Sequence, residues 1–221
     1  DISACFDNIN HDVLIAKLQY EPQLSLIKGW LKAGALSKIG FSKTDKGTPQ
    51  GGPISPLLAN IALDGMERIF GIYNKYGNYT NPSQRRGLNK QLALYRYADD
   101  FIVTALRKDI LEDYVLPKLK DFLDSVGLSL NLAKTRIVNI SEGFDFLGFH
   151  FRRFHRRDGS VKEFIYSPSR NRLDSFLQNL KIWLRKSQHL AVQDVIKGLN
   201  RKIRGFCNYF KWSNAHKAFG Y

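Results

Sequence analysis

Two β-prone runs, residues 92–97 and 101–105, flank Ala98-Asp99-Asp100, and the short step between them predicts a tight hairpin with an acidic pair at or beside its turn. Adjacent carboxylates repel one another unless a cation neutralises them, although an isolated pair more often solvates or caps a surface turn. Context shifts that balance. Asp1 stands on an expected short strand over residues 1–7 that runs into a turn. Between the two acidic sites lies Gly47-Thr48-Pro49-Gln50-Gly51-Gly52-Pro53-Ile54-Ser55-Pro56. Its glycines permit close backbone approach to a ligand, and Gln50 offers amide donors and an acceptor. Three carboxylates where strands end or turn suit divalent cations, because Mg²⁺ prefers hard oxygen ligands and an ion pair can clamp both oxygens of a phosphoryl transfer.

The rest of the chain reads as mixed α and β. Asn10 is available as N-cap for a helix from His11 to Leu18. Apolar residues from Pro53 to Phe70 fall at helical spacing, with Pro near the first turn. Residues 73–91 form a polar excursion. Leu111, Val115, Leu119, Phe122 and Val126 mark an amphipathic helix that Gly127 stops. Residues 128–140 and 144–154 look like strands, and Asp158-Gly159 turns a further hairpin. After Ser167-Pro168-Ser169 the period becomes helical, with Leu173, Phe176, Leu177, Leu180 and Leu184 on one face and Val195, Leu199, Ile203, Phe206 and Phe210 on another. A domain boundary is therefore expected at about residue 167, giving domains 1–167 and 168–221.

Charge narrows the partner. The 221 residues carry a formal net charge of +14. Residues 1–150 hold 18 basic and 16 acidic side chains, whereas the remaining 71 hold 16 and 4. An excess confined to one third of the length presents a basic face to nucleic acid. The run His150-Phe151-Arg152-Arg153-Phe154-His155-Arg156-Arg157 sets four arginines among aromatics, where guanidinium forks bind phosphate and rings stack on bases or sugars. Arg170, Arg172, Lys181, Arg185, Lys186, Arg201, Lys202 and Arg204 extend that surface. Cys5 and Cys207 lie too far apart in sequence for a disulfide framework or a zinc knuckle, and the five histidines show no zinc spacing. With neither an apolar run of membrane-spanning length nor a leader, an intracellular protein without membrane contact is expected.

Taken in order, these motifs resemble the reverse transcriptases encoded by group II introns, the intron maturases. Asp1-Ile2-Ser3-Ala4-Cys5-Phe6-Asp7 is similar to the first palm motif, Thr48-Pro49-Gln50-Gly51-Gly52-Pro53-Ile54-Ser55-Pro56 to the Gln-Gly motif, and Tyr97-Ala98-Asp99-Asp100 to the catalytic hairpin. Gly127-Leu128-Ser129-Leu130-Asn131 with Lys134-Thr135 resembles the next palm motif, Phe146-Leu147-Gly148-Phe149 the primer grip, and Ile203-Arg204-Gly205-Phe206-Cys207-Asn208-Tyr209-Phe210 the thumb or maturase helix.

The resemblance implies an α+β right-hand polymerase palm with partial fingers, followed by an incomplete helical thumb, and an RNA-directed DNA polymerase using Mg²⁺ and deoxynucleoside triphosphates. It implies metal ligation by Asp1, Asp99 and Asp100 with the Ile2 carbonyl. Phe6 becomes the ring that excludes a ribose 2′-hydroxyl, and Gln50 with Gly51 contacts the nucleotide. Lys134 supports the departing pyrophosphate, and Phe146, Leu147 and Gly148 hold the primer. Intron RNA, an RNA template with DNA primer or target DNA, splicing and mobility come with the family. So does a ribonucleoprotein setting in a bacterial cytoplasm or an organelle, with fingers strands preceding Asp1. Two other readings are a non-catalytic RNA-binding splicing cofactor on the same fold and the polymerase module of a CRISPR-associated fusion.

Overall fold

The computed structural model describes residues 2–37, 40–42, 44–48 and 53–215. Asp1, Gln50 and Gly51 lie outside the described residues. Backbone contacts divide the chain into two compact units, Asp1–Ile137 and Val138–Tyr221.

The first unit opens with α1 (Cys5–Asn8) and α2 (His11–Lys17), followed by α3 (Leu24–Lys32) and a small antiparallel pair, β1 (Ala35–Ser37) and β2 (Gly40–Ser42). Then come α4 (Ser55–Leu63), the hairpin β3 (Ala93–Tyr97) and β4 (Asp100–Thr104), and α5 (Leu116–Ser125), which continues a π-helical turn at Ile110–Val115. Asn10 caps α2 as expected, its side chain accepting from the Asp12 and Val13 amides. At the end of α5, Gly127 takes φ 77° and the Leu128 amide reaches back to the Leu123 carbonyl, the six-to-one bond of a left-handed helix stop. The fully buried Ile9, Leu14, Leu31, Leu58, Leu63, Met66, Phe70, Ile110 and Leu123 form one core beneath these helices.

Three expectations for residues 1–140 change. The strand over residues 1–7 reduces to one bridge, Ile2 with Leu130, before Ala4 enters the left-handed region at φ 42° and α1 begins. Residues 128–140 are irregular rather than a strand. Asn131 draws the chain into a turn, its carbonyl accepting from the Lys134 and Thr135 amides and from the Thr135 hydroxyl, a local alternative that competes with ladder pairing. The helix from Pro53 does not run to Phe70, because α4 ends at Leu63 and a 3-10 turn follows at Arg68–Phe70. Lys17 closes α4 from outside, its Nζ donating to the carbonyls of Ile61 (3.3 Å), Ala62 (2.6 Å) and Asp64 (2.6 Å). A cation at a helix C-terminus satisfies orphan carbonyls and complements the dipole. Burial nevertheless lowers the Lys17 pKa, with Asp64 acting the other way.

The second unit is a three-stranded antiparallel sheet, β5 (Phe144–Phe146), β6 (Phe149–His155) and β7 (Val161–Pro168), followed by α6 (Arg170–Lys186) and α7 (Val192–Phe210). Asp158 and Gly159 turn the β6–β7 connection, with Gly159 at φ 81°. Ser169 caps α6 through the Arg172 amide. The unit is held by rings: Phe149 packs on Phe210 at 4.8 Å and on Tyr209 at 5.3 Å, and Phe176 stacks on Phe206 at 4.1 Å. Gly198 lets α6 and α7 approach, since a Cβ there would stand 2.6 Å from the Trp183 ring. Among the described residues no helix is long and apolar enough to cross a membrane.

Replacing Lys17 by Met keeps the aliphatic stem but removes three bonds to carbonyls. It is expected to destabilise the protein by about 1.5–3 kcal/mol, read as a lower urea midpoint with unchanged slope. An unchanged midpoint would remove Lys17 from the list of residues that terminate α4.

Candidate active site and nucleic-acid interface

The β3–β4 register pairs Tyr97 with Asp100, so Ala98 and Asp99 are the two turn residues. Only the first takes positive φ, at 55°. The left-handed region costs a non-glycine residue on the order of 1 kcal/mol, so the turn must be held by its surroundings. Arg96 supplies that support. Its Nε donates to Glu67 at 2.9 Å, and its NH1 group to Asn60 at 2.9 Å and to the Ala98 carbonyl at 3.2 Å. Both partners of the Arg96–Glu67 pair are less than one-fifth exposed, and Glu67 takes up the guanidinium charge. No hydrogen bond or ion pair to a described residue engages the carboxylate of Asp99, half-buried, or of Asp100, exposed. Two adjacent carboxylates with hard oxygens and no committed counter-charge fit divalent cations. Among the described residues no group of three or more His, Cys, Asp or Glu is gathered for a metal ion. Asp1, the third expected ligand, is not among them.

Asp99 faces the start of the chain. The Cys5 thiol on α1 is pushed up to about 11 by burial first and by the negative charge of Asp99 second, with Arg96 acting oppositely. The acidic turn and the segment after Asp1 are thus close enough to feel one another. Ile2 itself is buried, bridges Leu130, and is followed by a Ser3 amide bond to the Ser129 carbonyl at 2.9 Å. That pairing ties the first segment to 127–135, and Lys134 is exposed in the turn that follows Leu130.

Residues 46–48, which lead to Gln50 in the sequence, enter the same neighbourhood. Lys46 bridges Asn10, the Gly47 amide donates to the Ile9 carbonyl at 2.8 Å, and the Thr48 amide donates to the Phe6 carbonyl at 2.6 Å. Phe6, on α1, is partly buried against the core. Gly47 has φ 80°, and a Cβ there would lie 2.6 Å from the carbonyl oxygens of Phe6 and Asp7. Thr48 is buried, and its hydroxyl has no hydrogen-bond partner among the described residues. The Gly47-Thr48 step is thus bonded to α1, and the charge of Asp99 is felt there.

In the second unit Phe146 and Phe149 pair across a two-residue turn of Leu147 (φ 50°) and Gly148 (φ 80°). Positive φ at both positions matches the twist of a tight hairpin. The Leu147 carbonyl accepts from the Tyr209 hydroxyl at 2.8 Å and the Gly148 carbonyl from the Ser169 amide at 2.8 Å, fixing the turn between the ends of α7 and α6. Of the arginine run, Arg152 donates to the Ser141 carbonyl at 2.9 Å and lies 5.0 Å from the Phe154 ring centre. Arg156 reaches Ser160, whereas Arg153 and Arg157 are exposed. Arg170, Arg172, Lys181, Arg185 and Lys186 are exposed along α6, and Arg201, Lys202 and Arg204 along α7. An open groove of about 520 Å³ on α7 is lined by Lys197, Asn200, Arg201, Arg204, Gly205 and Asn208.

Arg96 and His11 went unnoticed in the sequence. Arg96 could have been found as the cation beside an acidic turn. His11 carries no such mark, because its partner is a backbone carbonyl 36 positions away.

Comparison with known proteins identifies the family. The family model described as reverse transcriptase (RNA-dependent DNA polymerase) matches residues 1–151, and the one described as the group II intron, maturase-specific domain matches residues 173–221. The group II intron-encoded protein LtrA of Lactococcus lactis subsp. cremoris is 29% identical over 95% of this chain and 47% of its own length. Protein YkfC of Escherichia coli (strain K12) is 30% identical over 73% of this chain and 48% of its own. Maturase-like protein 1 of Euglena gracilis is 26% identical over 97% and 40%. The chain thus spans about half the length, or less, of these curated relatives. With one match over its palm-like mixed helix-and-strand region and the other over its last two helices, the chain belongs to the reverse transcriptase family and carries the maturase-specific domain of group II introns.

Proposed function

We propose that the chain is the polymerising and RNA-binding portion of a group II intron-encoded reverse transcriptase, which copies an RNA template into DNA and binds its intron RNA to promote splicing and mobility. One observation carries this reading: the Gly47-Thr48 step is bonded to α1, the helix that bears Phe6, and the negative charge of Asp99 reaches the Cys5 thiol of the same helix. Residues separated by tens of positions gain a common address, as an active site requires.

In this reading Asp1, Asp99 and Asp100, with the Ile2 carbonyl, hold Mg²⁺. The bound ions would supply charge neutralisation at the transferring phosphoryl group and a more acidic primer hydroxyl. Arg96 keeps the carboxylates aimed by pinning their turn. Phe6 selects deoxynucleotides by excluding a 2′-hydroxyl, and Gln50 and Gly51 contact the incoming nucleotide. Lys134 supports pyrophosphate as it leaves. Phe146, Leu147 and Gly148 grip the primer end. Residues 1–167 serve as palm with partial fingers and 168–221 as part of the thumb or maturase domain. The arginines of β6 and the cations of α6 and α7 take RNA phosphates, and the working particle is an intracellular ribonucleoprotein.

Primer extension on an RNA template by the full-length protein tests the reaction. Asp99→Ala and Asp100→Asn are each expected to reduce extension by about 10³-fold or more, the scale at which a transition-state charge stabiliser is lost. Undiminished extension in both would refute the polymerase reading. Those variants should still promote splicing of intron RNA, which separates catalysis from binding.

RNA affinity offers an independent check. Because Arg152, Arg153, Arg156 and Arg157 are all exposed, neutralising the four together should flatten the salt dependence of binding by about three in log–log slope. A slope unchanged from wild type would place the RNA elsewhere.

A further inference from the structure

We propose that His11 is a positioning residue for nucleotide selection, acting through the Gly47 carbonyl on the backbone of Phe6. The inference rests on the polymerase reading and adds a residue to it. His11 is 8% exposed, and its Nε2 lies 2.6 Å from the Gly47 carbonyl oxygen. A carbonyl only accepts, so the ring carries its proton on Nε2 and donates. The carbonyl it holds belongs to a residue whose amide is bonded to Ile9, and the next amide, that of Thr48, is bonded to Phe6.

These bonds form one clasp across the start of the Gln50 loop. Its lower jaw is α1 and the linker to α2, where the Phe6 and Ile9 carbonyls accept. Its upper jaw is the Gly47-Thr48 step, which the absence of a Cβ at 47 allows to lie against the Phe6 and Asp7 carbonyls. His11 is the side chain that closes it, reaching over from the first residue of α2. Lys46 adds a bond from its Nζ to the Asn8 side chain, but that contact is exposed, and such contacts hold little in water. A buried bond from a ring with few rotamers restricts the step far more. The carbonyl that fixes the backbone of the 2′-hydroxyl-excluding ring and the loop that carries Gln50 thus share one buried anchor. Loosening that anchor should blur the choice between deoxy- and ribonucleotides more than it slows incorporation.

Two variants separate this from simple packing. His11→Phe keeps the ring and removes the donor, and His11→Gln restores a donor near the position of Nε2. In the full-length protein, amide hydrogen exchange over residues 44–48 should quicken about tenfold in His11→Phe and stay within about twofold of wild type in His11→Gln. Single-nucleotide incorporation on an RNA template should show deoxy-over-ribonucleotide selectivity reduced about five- to tenfold in His11→Phe, with kcat for the deoxynucleotide nearly unchanged, and recovered in His11→Gln. Wild-type selectivity in His11→Phe would overturn the proposal. So would equal losses in both variants, since the ring rather than its bond would then matter. If His11→Phe fails to fold, His11→Gln decides: retained exchange protection and selectivity support the clasp, and their loss overturns it. A wild-type protein that extends no primer, while exchange still distinguishes the variants, would overturn the polymerase reading and the selection role together but leave the clasp standing.

Discussion

Position 47 of the first unit admits a glycine and nothing larger. A Cβ would sit 2.6 Å from two carbonyl oxygens of α1, a separation that real contacts do not reach, and φ of 80° is costly for any side chain. This constraint lets the step that begins the Gln50 loop bond directly to the backbone of the chain's first helix. The remaining pieces of the site are arranged about that helix. The charge of Asp99, at the β3–β4 turn, reaches its Cys5 thiol, and Ile2 and Ser3 tie its N-terminal side to Ser129 and Leu130. Main-chain bonds do most of the gathering, so the geometry depends on backbone course more than on side-chain choice.

Charge is divided between the two units in the way the chemistry wants it. The first, with the smaller share of the excess positive charge, builds a conventional aliphatic core from α2 to α5 and leaves a carboxylate pair without an ion-pair partner among the described residues. The second keeps its cations at the surface and packs mainly through aromatic rings, with Phe210 and Ala215 as its buried apolar residues among those described. Rings supply large contact areas per residue, which suits a segment with few aliphatic residues to spare. One unit is suited to cations and the other to phosphates.

Local chemistry was legible in the sequence; tertiary substitution of partners was not. The acidic hairpin follows from two β-prone runs with a short gap, the α2 cap from Asn10, and the end of α5 from Gly127, each of which acts within a few residues of its own position. The strand expected at 128–140 failed because Asn131 offers the backbone a turn that hydrophobic patterning cannot see. The length of α4 was misjudged because Lys17, some forty-five positions earlier, supplies its terminus. The turn within 144–154 was hidden by Leu147, a residue rarely found in the left-handed region. Of the candidate site, the residue types were readable and Arg96 stood beside the acidic turn, but its partners, a distant acid and an amide, were not legible, and neither was the backbone carbonyl that engages His11.

The alanine between Tyr97 and Asp99 has a consequence of its own. Glycine or asparagine would adopt that backbone conformation with less strain, yet each would also widen the set of shapes open to the unfolded or loosened turn. Alanine accepts a standing penalty of about 1 kcal/mol in exchange for a narrower range of motion. Relief of strain and the wider unfolded ensemble roughly cancel, so relaxing this hinge would leave resilience to heat nearly as it is while letting the carboxylates wander.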